Sequence, residues 1–341
     1  MAKQQITIKD VAKLANVSVA TAGRALGNYG SVSDEAIRRV QKAAQQLGFT
    51  PNAFAQSLRR SHMRTLGVVL SDISNPFFSR LLYGIEKAAH ENDYAVIACN
   101  TNEDIDTEIK QLKMLHNKRV DGILLAAAYR VGDSISEENM YLYDGDIPVI
   151  YIDREVFPVE SSAVSVDNIR GCYEAVKYLL DLGHKNIGVI APFNIITVES
   201  RIAGCRQAVQ EANLPPENCH IIRYDAKSAN NSQTLQPWLQ ENDEITAIIT
   251  LNSDSLLQLL TECKNLGKTI PNDYSVICWD DCDLAKYWEI TVIEQPTIQM
   301  GKIAVERVLS QINAAESNTN NEKTLLPVTL HLRKSCKRLS F

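Results

Sequence analysis

The sequence contains no apolar run of the ~18–20 residues that a helix needs to cross a bilayer. Its first ten residues, MAKQQITIKD, hold neither an apolar stretch nor a cleavage site of small residues, so no secretion signal is predicted. The 341 residues are 45% hydrophobic and 22% charged, which is typical of a globular chain with two or three domains. We therefore expect a cytoplasmic protein.

The sequence also lacks the short motifs of cofactor and metal sites. It has no G-x-G-x-x-G and no phosphate-binding loop, which disfavours a nucleotide-dependent enzyme. The eight cysteines are dispersed, and the closest pair, Cys278 and Cys282, has no further Cys or His at ligand spacing. We predict no metal, no cofactor and free buried thiols, as in a reducing compartment.

Charge is unevenly distributed along the chain. The net charge of -6 by itself argues against a nucleic-acid partner. Residues 1–65, however, hold ten Lys and Arg against three acidic residues, a net +7, whereas the remainder holds 25 basic and 38 acidic residues, a net -13. A basic region can release counterions from DNA phosphates. The asymmetry predicts a DNA-binding head on an acidic body.

The stretch 7–26, TIKDVAKLANVSVATAGRAL, predicts two short helices joined by a tight turn. Thr7 can cap the first helix, with Asp10 at the capping-box position. Asn16 tolerates the left-handed turn, and Ser18 can cap the second helix. The second helix turns a small apolar face inward and leaves four residues outward, Val19, Ala20, Thr21 and Arg24. Residues at the start of such a helix contact base edges in helix-turn-helix proteins.

A third helix is predicted from Ser33, its cap, to Gly48, its stop. Three short helices could also form a helical bundle without a DNA role. The turn spacing, the outward Arg24 and the local +7 favour DNA binding.

The same stretch resembles the head of the LacI/GalR family of bacterial transcription repressors, whose pattern is roughly T-I-K-D-V-A-x-x-A-G-V-S-x-A-T-V-S-R-x-L-N. This chain departs from it at Asn16, at Ala22-Gly23 and at Gly27. Gly23 removes a hydroxyl that could hold a phosphate, so somewhat altered backbone contacts are expected. The resemblance implies DNA contacts by Thr7, Ser18, Val19, Ala20, Thr21 and Arg24.

The segment 51–64 resembles the hinge helix of that family. A helix this short is unstable alone in water and should form only with a dimer mate and DNA. The resemblance implies that Leu58 is the apolar wedge in the minor groove, with Ala55 beside it and Asn52 as a further contact. The alternative is a flexible basic linker with a packed leucine.

From Thr65 onward, short β-branched runs alternate with amphipathic helical stretches, which predicts parallel sheets covered on both faces. The predicted strands are 66–70, 95–99, 122–126, 148–152, 186–190, 220–224, 247–251 and 275–279, followed by a last strand, LLPVTLHL. One helix is predicted over Pro76–Asn92, capped by Asn75. No apolar heptad tail follows, so the extra tetramer-forming helix of some relatives is not expected.

The predicted fold is therefore a small all-α helix-turn-helix head plus an α/β core of two doubly wound parallel-sheet lobes, similar to periplasmic binding proteins. The predicted boundaries are 1–50 for the head, 51–64 for the hinge and 65–341 for an effector-binding and dimerisation core. Within the core, we place the first lobe at about 65–160 and 294–325, and the second at about 161–293 and 326–335.

Ligands of doubly wound sheets bind outside the carboxyl ends of the strands. The polar and aromatic residues that follow these strands suit a sugar, because fixed carboxylate, amide and guanidinium groups match vicinal hydroxyls and rings cover C–H faces. They are Asn75, Phe77, Phe78, Asp153, Arg154, Arg201, Tyr224, Asn252, Asp280 and Gln295.

This set resembles the pocket of ribose-type periplasmic sugar-binding proteins, which are relatives of the family's core. Two departures are Asn252-Ser253 in place of Asn-Asp, and Cys278-Trp279-Asp280 in place of Gly-Phe-Asp, so Trp279 could reshape the pocket wall. Structural roles remain open for some members. Carboxylates can cap turns, the two arginines can bridge the lobes, and one phenylalanine can belong to the core.

We interpret the chain as a sugar-responsive transcription regulator, a repressor type, that binds a palindromic operator as a homodimer. The favoured effector is a pentose, and a nucleoside, a purine or a sugar phosphate is the alternative. A glycosidase pair drawn from Asp153, Asp167, Asp280 and Asp281 is disfavoured, since Asp280 and Asp281 should point apart. A sugar-binding protein without a DNA role is also disfavoured.

Overall fold

The computed structural model describes residues 6–27, 30–49, 63–128, 132–156, 159, 161–224, 231–314 and 321–339. The chain divides into two units, Met1–Met63 and Arg64–Phe341. None of the described helices is both long and apolar enough to span a membrane.

The first unit contains three helices, α1 (Ile8–Leu14), α2 (Val19–Gly27) and α3 (Asp34–Leu47). The backbone N–H and the hydroxyl of Thr7 both donate to the Asp10 carboxylate, at 2.8 and 2.7 Å. Asn16 has a φ of +52°, and the Ser18 hydroxyl accepts from the Thr21 amide at 3.0 Å. The predicted caps and turn are confirmed. They orient α1 and α2 so that their small apolar faces pack together against α3.

The second unit is an α/β core. Its strands are β1 (Thr65–Leu70), β2 (Ala95–Asn100), β3 (Gly122–Leu125), β4 (Val149–Ile152), β5 (Ala163–Val166), β6 (Ile187–Pro192), β7 (Cys219–Tyr224), β8 (Ala247–Thr250), β9 (Ser275–Trp279), β10 (Thr291–Glu294), β11 (Lys323–Leu326) and β12 (Thr329–His331). Its α-helices are α4 (Pro76–Glu91), α5 (Ile105–Lys118), α6 (Asn168–Asp181), α7 (Ile196–Glu211), α8 (Asn231–Glu241), α9 (Ser253–Leu266), α10 (Asp283–Tyr287) and α11 (Thr297–Asn313). Two short 3-10 helices, Glu137–Leu142 and Pro216–Asn218, lie in the connections.

The strands form two six-stranded sheets, ordered β11-β5-β4-β3-β1-β2 and β12-β10-β9-β8-β6-β7. All pairings within them are parallel except that of β10 with β12. The inner strands of both sheets, such as β1, β3, β4 and β8, are buried, whereas the edge strands β2, β11 and β12 are largely exposed or half-buried. The predicted two-lobed parallel architecture is confirmed. Because the sheets are parallel, the carboxyl ends of β1, β4, β6, β8 and β9 can all face one cleft.

Three details of the predicted core are wrong. The predicted last strand divides at Pro327-Val328 into β11 and β12, which join different sheets, because Pro327 has no N–H to continue a ladder. Strand β5 was not predicted, and a lobe boundary at 160/161 would assign it to the second lobe, yet it pairs with β4 and β11 in the first sheet. Strand β10 was not predicted either, and it pairs with β9 and β12 in the second sheet.

Helices α6 and α7 of the second lobe cross at very short range. A Cβ atom built on Gly204 would lie 2.1 Å from the carbonyl oxygen of Ile169. We expect Gly204→Ala to lower the free energy of unfolding by about 1–3 kcal/mol, because the helices must separate to admit the methyl group. Urea denaturation followed by circular dichroism measures this change. Gln210→Ala, at an exposed position of the same helix, should stay within about 0.5 kcal/mol of wild type. Equal stability of the two variants would contradict the prediction.

Candidate functional site: a DNA-binding head and a polar cleft

The exposed side of α2 carries the residues predicted to contact DNA. Val19 is 45% exposed, Ala20 and Arg24 are also exposed, and Thr21 is half-buried after capping by Ser18. Gly23 is buried together with Ala22 and Ala25, so it belongs to the inner side of the helix and not to this exposed surface. Of the remaining predicted contacts, Thr7 lies at the exposed start of α1. Asn52, Ala55 and Leu58 lie outside the described residues, and their roles stay predictions.

In the core, all ten predicted effector residues line a single cavity of about 520 Å³ between the lobes. The structure adds nine lining residues that the sequence did not indicate, Asp72, Ser74, Glu103, Pro192, Phe193, Ile195, Thr197, Val198 and Asp254. We call this cavity the cleft.

Two carboxylates enter the cleft from strand ends with unusual backbone geometry. Asp153 follows β4 with a φ of +66°, and Asp280 follows β9 with a φ of +81°. Both are buried, at 7% and 8% exposure. Non-glycine residues in the left-handed region cost free energy and tend to occur at ligand sites. Each carboxylate thus lies at the carboxyl end of its strand and lines the cleft.

Asp280 and Gln295 form a buried pair, with the Gln295 side-chain nitrogen donating to Asp280 Oδ1 at 2.6 Å. Burial raises the pKa of Asp280 to about 6, although the positive charge of Arg201 opposes this shift. Burial also raises the pKa of Asp153, against the lowering influence of Arg154 and Arg201. The cleft thus holds two costly carboxylates that a hydrogen-bond donor would stabilise.

The guanidinium group of Arg154 is anchored in the first lobe. Its Nη1 lies 2.6 Å from Glu103 Oε2 and 3.3 Å from the Ser71 hydroxyl. The group also lies over the ring of Phe78, 5.7 Å from the centroid. Phe78 in turn contacts Phe77 edge to face, with centroids 4.9 Å apart. Arg154 therefore has a fixed position before any ligand enters.

Arg201 is anchored in the second lobe, in the second turn of α7. It donates from Nε to Asn168 Oδ1 and from Nη1 to the Leu251 carbonyl, each at 2.8 Å. Its guanidinium lies 4.0 Å from the ring centroid of Trp279, which is fully buried. Trp279 is not among the residues that line the cleft. It supports Arg201 from behind, so it does not reshape the cleft wall as the sequence suggested.

Asn252 links the cleft to helix α9. Its side-chain oxygen accepts from the Ser255 amide as the helix cap and from the Tyr224 hydroxyl, both at 2.8 Å. Because the oxygen already accepts these two hydrogen bonds, the side-chain nitrogen of Asn252 is the group that can donate a hydrogen bond to a ligand.

Three buried polar atoms of the cleft have no hydrogen-bond partner among the described residues. They are Asp153 Oδ1, Arg154 Nε and Gln295 Oε1. Buried polar groups are nearly always paired in folded proteins, and an unpaired one costs about 1–3 kcal/mol. Arg154 Nε faces the other carboxylate oxygen of Asp153, Oδ2, at 3.5 Å in an ion pair, so the two acceptors, fixed by their neighbours, are the atoms most available to a small polar ligand. The described residues contain no cluster of His, Cys, Asp and Glu suited to a metal ion.

The two units together define the class of the protein. It has an α-helical head of the DNA-binding type, followed in the chain by a two-lobed core with a polar cleft. Comparison with known families agrees with this class. A model described as "Bacterial regulatory proteins, lacI family" matches residues 7–52, and one described as "Periplasmic binding proteins and sugar binding domain of LacI family" matches residues 63–334. The chain belongs to the LacI family, and it is a DNA-binding transcriptional repressor with a core of that family's sugar-binding type.

Individual proteins show the same relationship. The HTH-type transcriptional repressor PurR of Aliivibrio salmonicida is 31% identical over 311 residues, covering 90% of this chain and 92% of that protein. A LacI family regulator of Enterococcus faecium with bound ribose superposes with a TM-score of 0.71 at 29% identity, covering 81% of this chain and all of the other. The Lac repressor dimer bound to operator and the anti-inducer ONPF has a TM-score of 0.83 at 21% identity, covering 98% and 100%, which shows the shared fold.

Proposed function

We propose that the cleft binds a small neutral polyol, a pentose such as ribose, and that its occupancy changes the affinity of the head for an operator. The observation that carries this proposal is the pair of unpaired buried acceptors, Asp153 Oδ1 and Gln295 Oε1, beside Arg154 Nε, which lies 3.5 Å from Asp153 Oδ2. A sugar ring supplies hydroxyls that donate and accept, so it can satisfy both kinds of atom. The rings of Phe77 and Phe78 supply the apolar surface that C–H faces need. The Enterococcus faecium relative holds ribose, which supports the same chemistry.

The charge of the cleft argues against a sugar phosphate. Two guanidinium groups line it, Arg154 and Arg201, against five carboxylates, Asp72, Glu103, Asp153, Asp254 and Asp280. Arg154 is already paired with Glu103, and Arg201 is held by Asn168 and Leu251. A phosphate would meet excess negative charge, and of the two arginines only Arg201, whose hydrogen-bond partners are neutral, would be left to pair with it. A purine or nucleoside remains the second candidate, because Phe77 and Phe78 offer aromatic faces.

Ligand binding in the cleft can change the affinity for DNA only if the ligand has different affinities for two arrangements of the lobes. We propose that the protein acts as a homodimer, since two heads related by a two-fold axis match a palindromic operator. Such a regulator works in the cytoplasm, where bacterial DNA lies, and the cleft binds its effector without chemistry.

The decisive experiment is operator selection in vitro with the full chain, followed by DNA-binding titrations in the presence of monosaccharides, nucleosides, purines and sugar phosphates. We expect a neutral pentose to change operator affinity by about 5–150-fold, the usual range of allosteric coupling. A response confined to purines would transfer the proposal to the second candidate. A response to sugar phosphates alone would contradict the charge argument.

The raised pKa of Asp280 gives a pH dependence to this binding. A sugar hydroxyl that donates to Asp280 favours the ionised carboxylate, so affinity should fall as the pH drops below about 6, by up to about tenfold per unit. Calorimetry with ribose from pH 4.5 to 8 measures the effect. In Asp280→Asn, which cannot ionise, the remaining affinity should vary less over this range. An identical pH profile in both proteins would assign the titration to another group.

A further inference from the structure

A second cavity of about 540 Å³ adjoins the cleft in the core. Asp153 and Thr197 line both cavities, so the two spaces share a wall and meet there. The second cavity lies between the ends of β5 and β11 in the first lobe and the starts of α6 and α7 in the second. We call it the outer cavity.

The outer cavity differs from the cleft in chemistry. Six aliphatic side chains line it, those of Val156, Val159, Val166, Ile169, Ile196 and Leu325. Ile169, Ile196 and Leu325 are 45%, 36% and 62% exposed, which is unusual for aliphatic residues that come from three separate elements to one place. Exposed apolar surface gathered in this way marks a binding surface in soluble proteins.

The polar groups of the outer cavity are largely occupied. Asp167 caps α6 by accepting from the Arg170 amide at 2.8 Å, and Asn168 accepts from Arg201. Glu155 forms an ion pair with Lys323. Asp153 Oδ1, at the shared wall, is buried and has no hydrogen-bond partner among the described residues. A ligand group in the outer cavity would therefore gain binding free energy mainly by burying apolar area. A hydrogen-bond donor is needed only at the junction with the cleft, beside Asp153.

We propose that the effector site continues into the outer cavity, and that the effector is a glycoside whose sugar occupies the cleft and whose aromatic or branched aliphatic aglycone occupies the outer cavity. The inference rests on the proposed sugar site and extends it. The unpaired oxygen of Asp153 lies where the polar and apolar halves of such a ligand meet. The cleft holds two charged arginines and five carboxylates among its lining residues, whereas the outer cavity is lined mainly by aliphatic side chains and is large enough for a substituent of phenyl size.

Calorimetry with the full chain tests this inference. The probes are ribose, glucose and galactose, each compared as its methyl and phenyl glycosides, and phenol alone. For the sugar that binds, the phenyl glycoside should bind about tenfold to a hundredfold more tightly than the methyl glycoside, through the additional apolar area buried. Phenol alone should bind weakly.

Variants locate the effect. Ile169→Ser and Leu325→Ser should abolish the advantage of the phenyl group and the binding of phenol, and leave the methyl glycoside unaffected. Leu332→Ser is the matched control, because Leu332 is an aliphatic residue of similar exposure, 57%, that does not line the outer cavity. It should keep the full phenyl advantage. Thermal unfolding of each variant confirms that it is folded.

The outcomes separate this inference from the proposed function. Equal affinities for phenyl and methyl glycosides would overturn the proposal that the outer cavity binds the aglycone, and so would a phenyl advantage that persists in both serine variants. Either result would leave the proposed sugar site standing. If phenol binds, its binding is lost in Ile169→Ser and no sugar binds, the outer cavity is a binding site for apolar groups and the proposed sugar site is overturned. Failure of every probe would overturn both.

Discussion

Asp280→Ala is expected to weaken binding of the effector sugar by about tenfold to a hundredfold. The carboxylate is buried in the cleft and is the acceptor for Gln295 Nε2 at 2.6 Å. Its removal deletes a charged hydrogen-bond acceptor for ligand hydroxyls and leaves the Gln295 amide without its partner. A hydrogen bond to a charged group contributes about 1.5–3 kcal/mol, and each 1.4 kcal/mol is a factor of ten in affinity. Calorimetry with ribose measures the loss directly.

The neighbouring residue supplies a matched control. Asp281 lies beside Asp280 in sequence, but its carboxylate accepts from Arg333 Nη2 at 2.9 Å and it does not line the cleft. The expectation that the two carboxylates point apart is therefore confirmed. Asp281→Ala should bind the sugar like wild type even if its stability falls. Equal affinity losses in the two variants would show that the effect comes from general damage to this loop and not from the cleft.

Arg24→Ala is expected to weaken binding of the selected operator by about tenfold to a hundredfold, with a smaller effect on unrelated DNA. Arg24 projects from the exposed side of α2, in a helix-turn-helix head of the LacI family. An arginine that contacts a base edge contributes about 1–3 kcal/mol of discrimination. Fluorescence anisotropy with the operator and with a scrambled duplex measures both affinities.

Arg38→Ala provides the comparison for the charge itself. Arg38 is exposed on α3, and its Nε donates to the Asp34 carbonyl of its own helix at 3.3 Å. Loss of this cation should weaken operator and scrambled duplex alike and reduce the salt dependence of binding. If Arg24→Ala leaves operator affinity at the wild-type value, Arg24 has no part in sequence recognition.

Local signals in the sequence predicted most of the head and the cleft. The capping box of Thr7 and Asp10 and the left-handed Asn16 depend on residues three positions apart or on a single residue type, so they are visible in any short window. Asp153 and Asp280 were predicted because each directly follows an apolar strand, and parallel strands bring their carboxyl ends to one edge.

The features that the sequence did not indicate depend on distant parts of the chain. Glu103 lies in a turn after β2, and only its contact with Arg154, 51 residues away, brings it into the cleft. Strand β5 has four residues, too few for a clear period-two pattern, and it is defined by pairing with β11 near the carboxyl terminus. The outer cavity likewise combines residues from 153–169, 196–200 and 323–325.

The division of the last strand at Pro327 has a consequence for synthesis on the ribosome. The first sheet is complete only when β11 has emerged, and the second only when β12 has, so each sheet gains this edge strand only when nearly the whole chain is made. The three helices of the head end at Leu47 and depend on local contacts. At about 5–20 residues per second, the head emerges on the order of ten seconds or more before the core can finish folding. During that interval each new chain carries a basic head that can fold and contact DNA before the core that is to regulate it has folded.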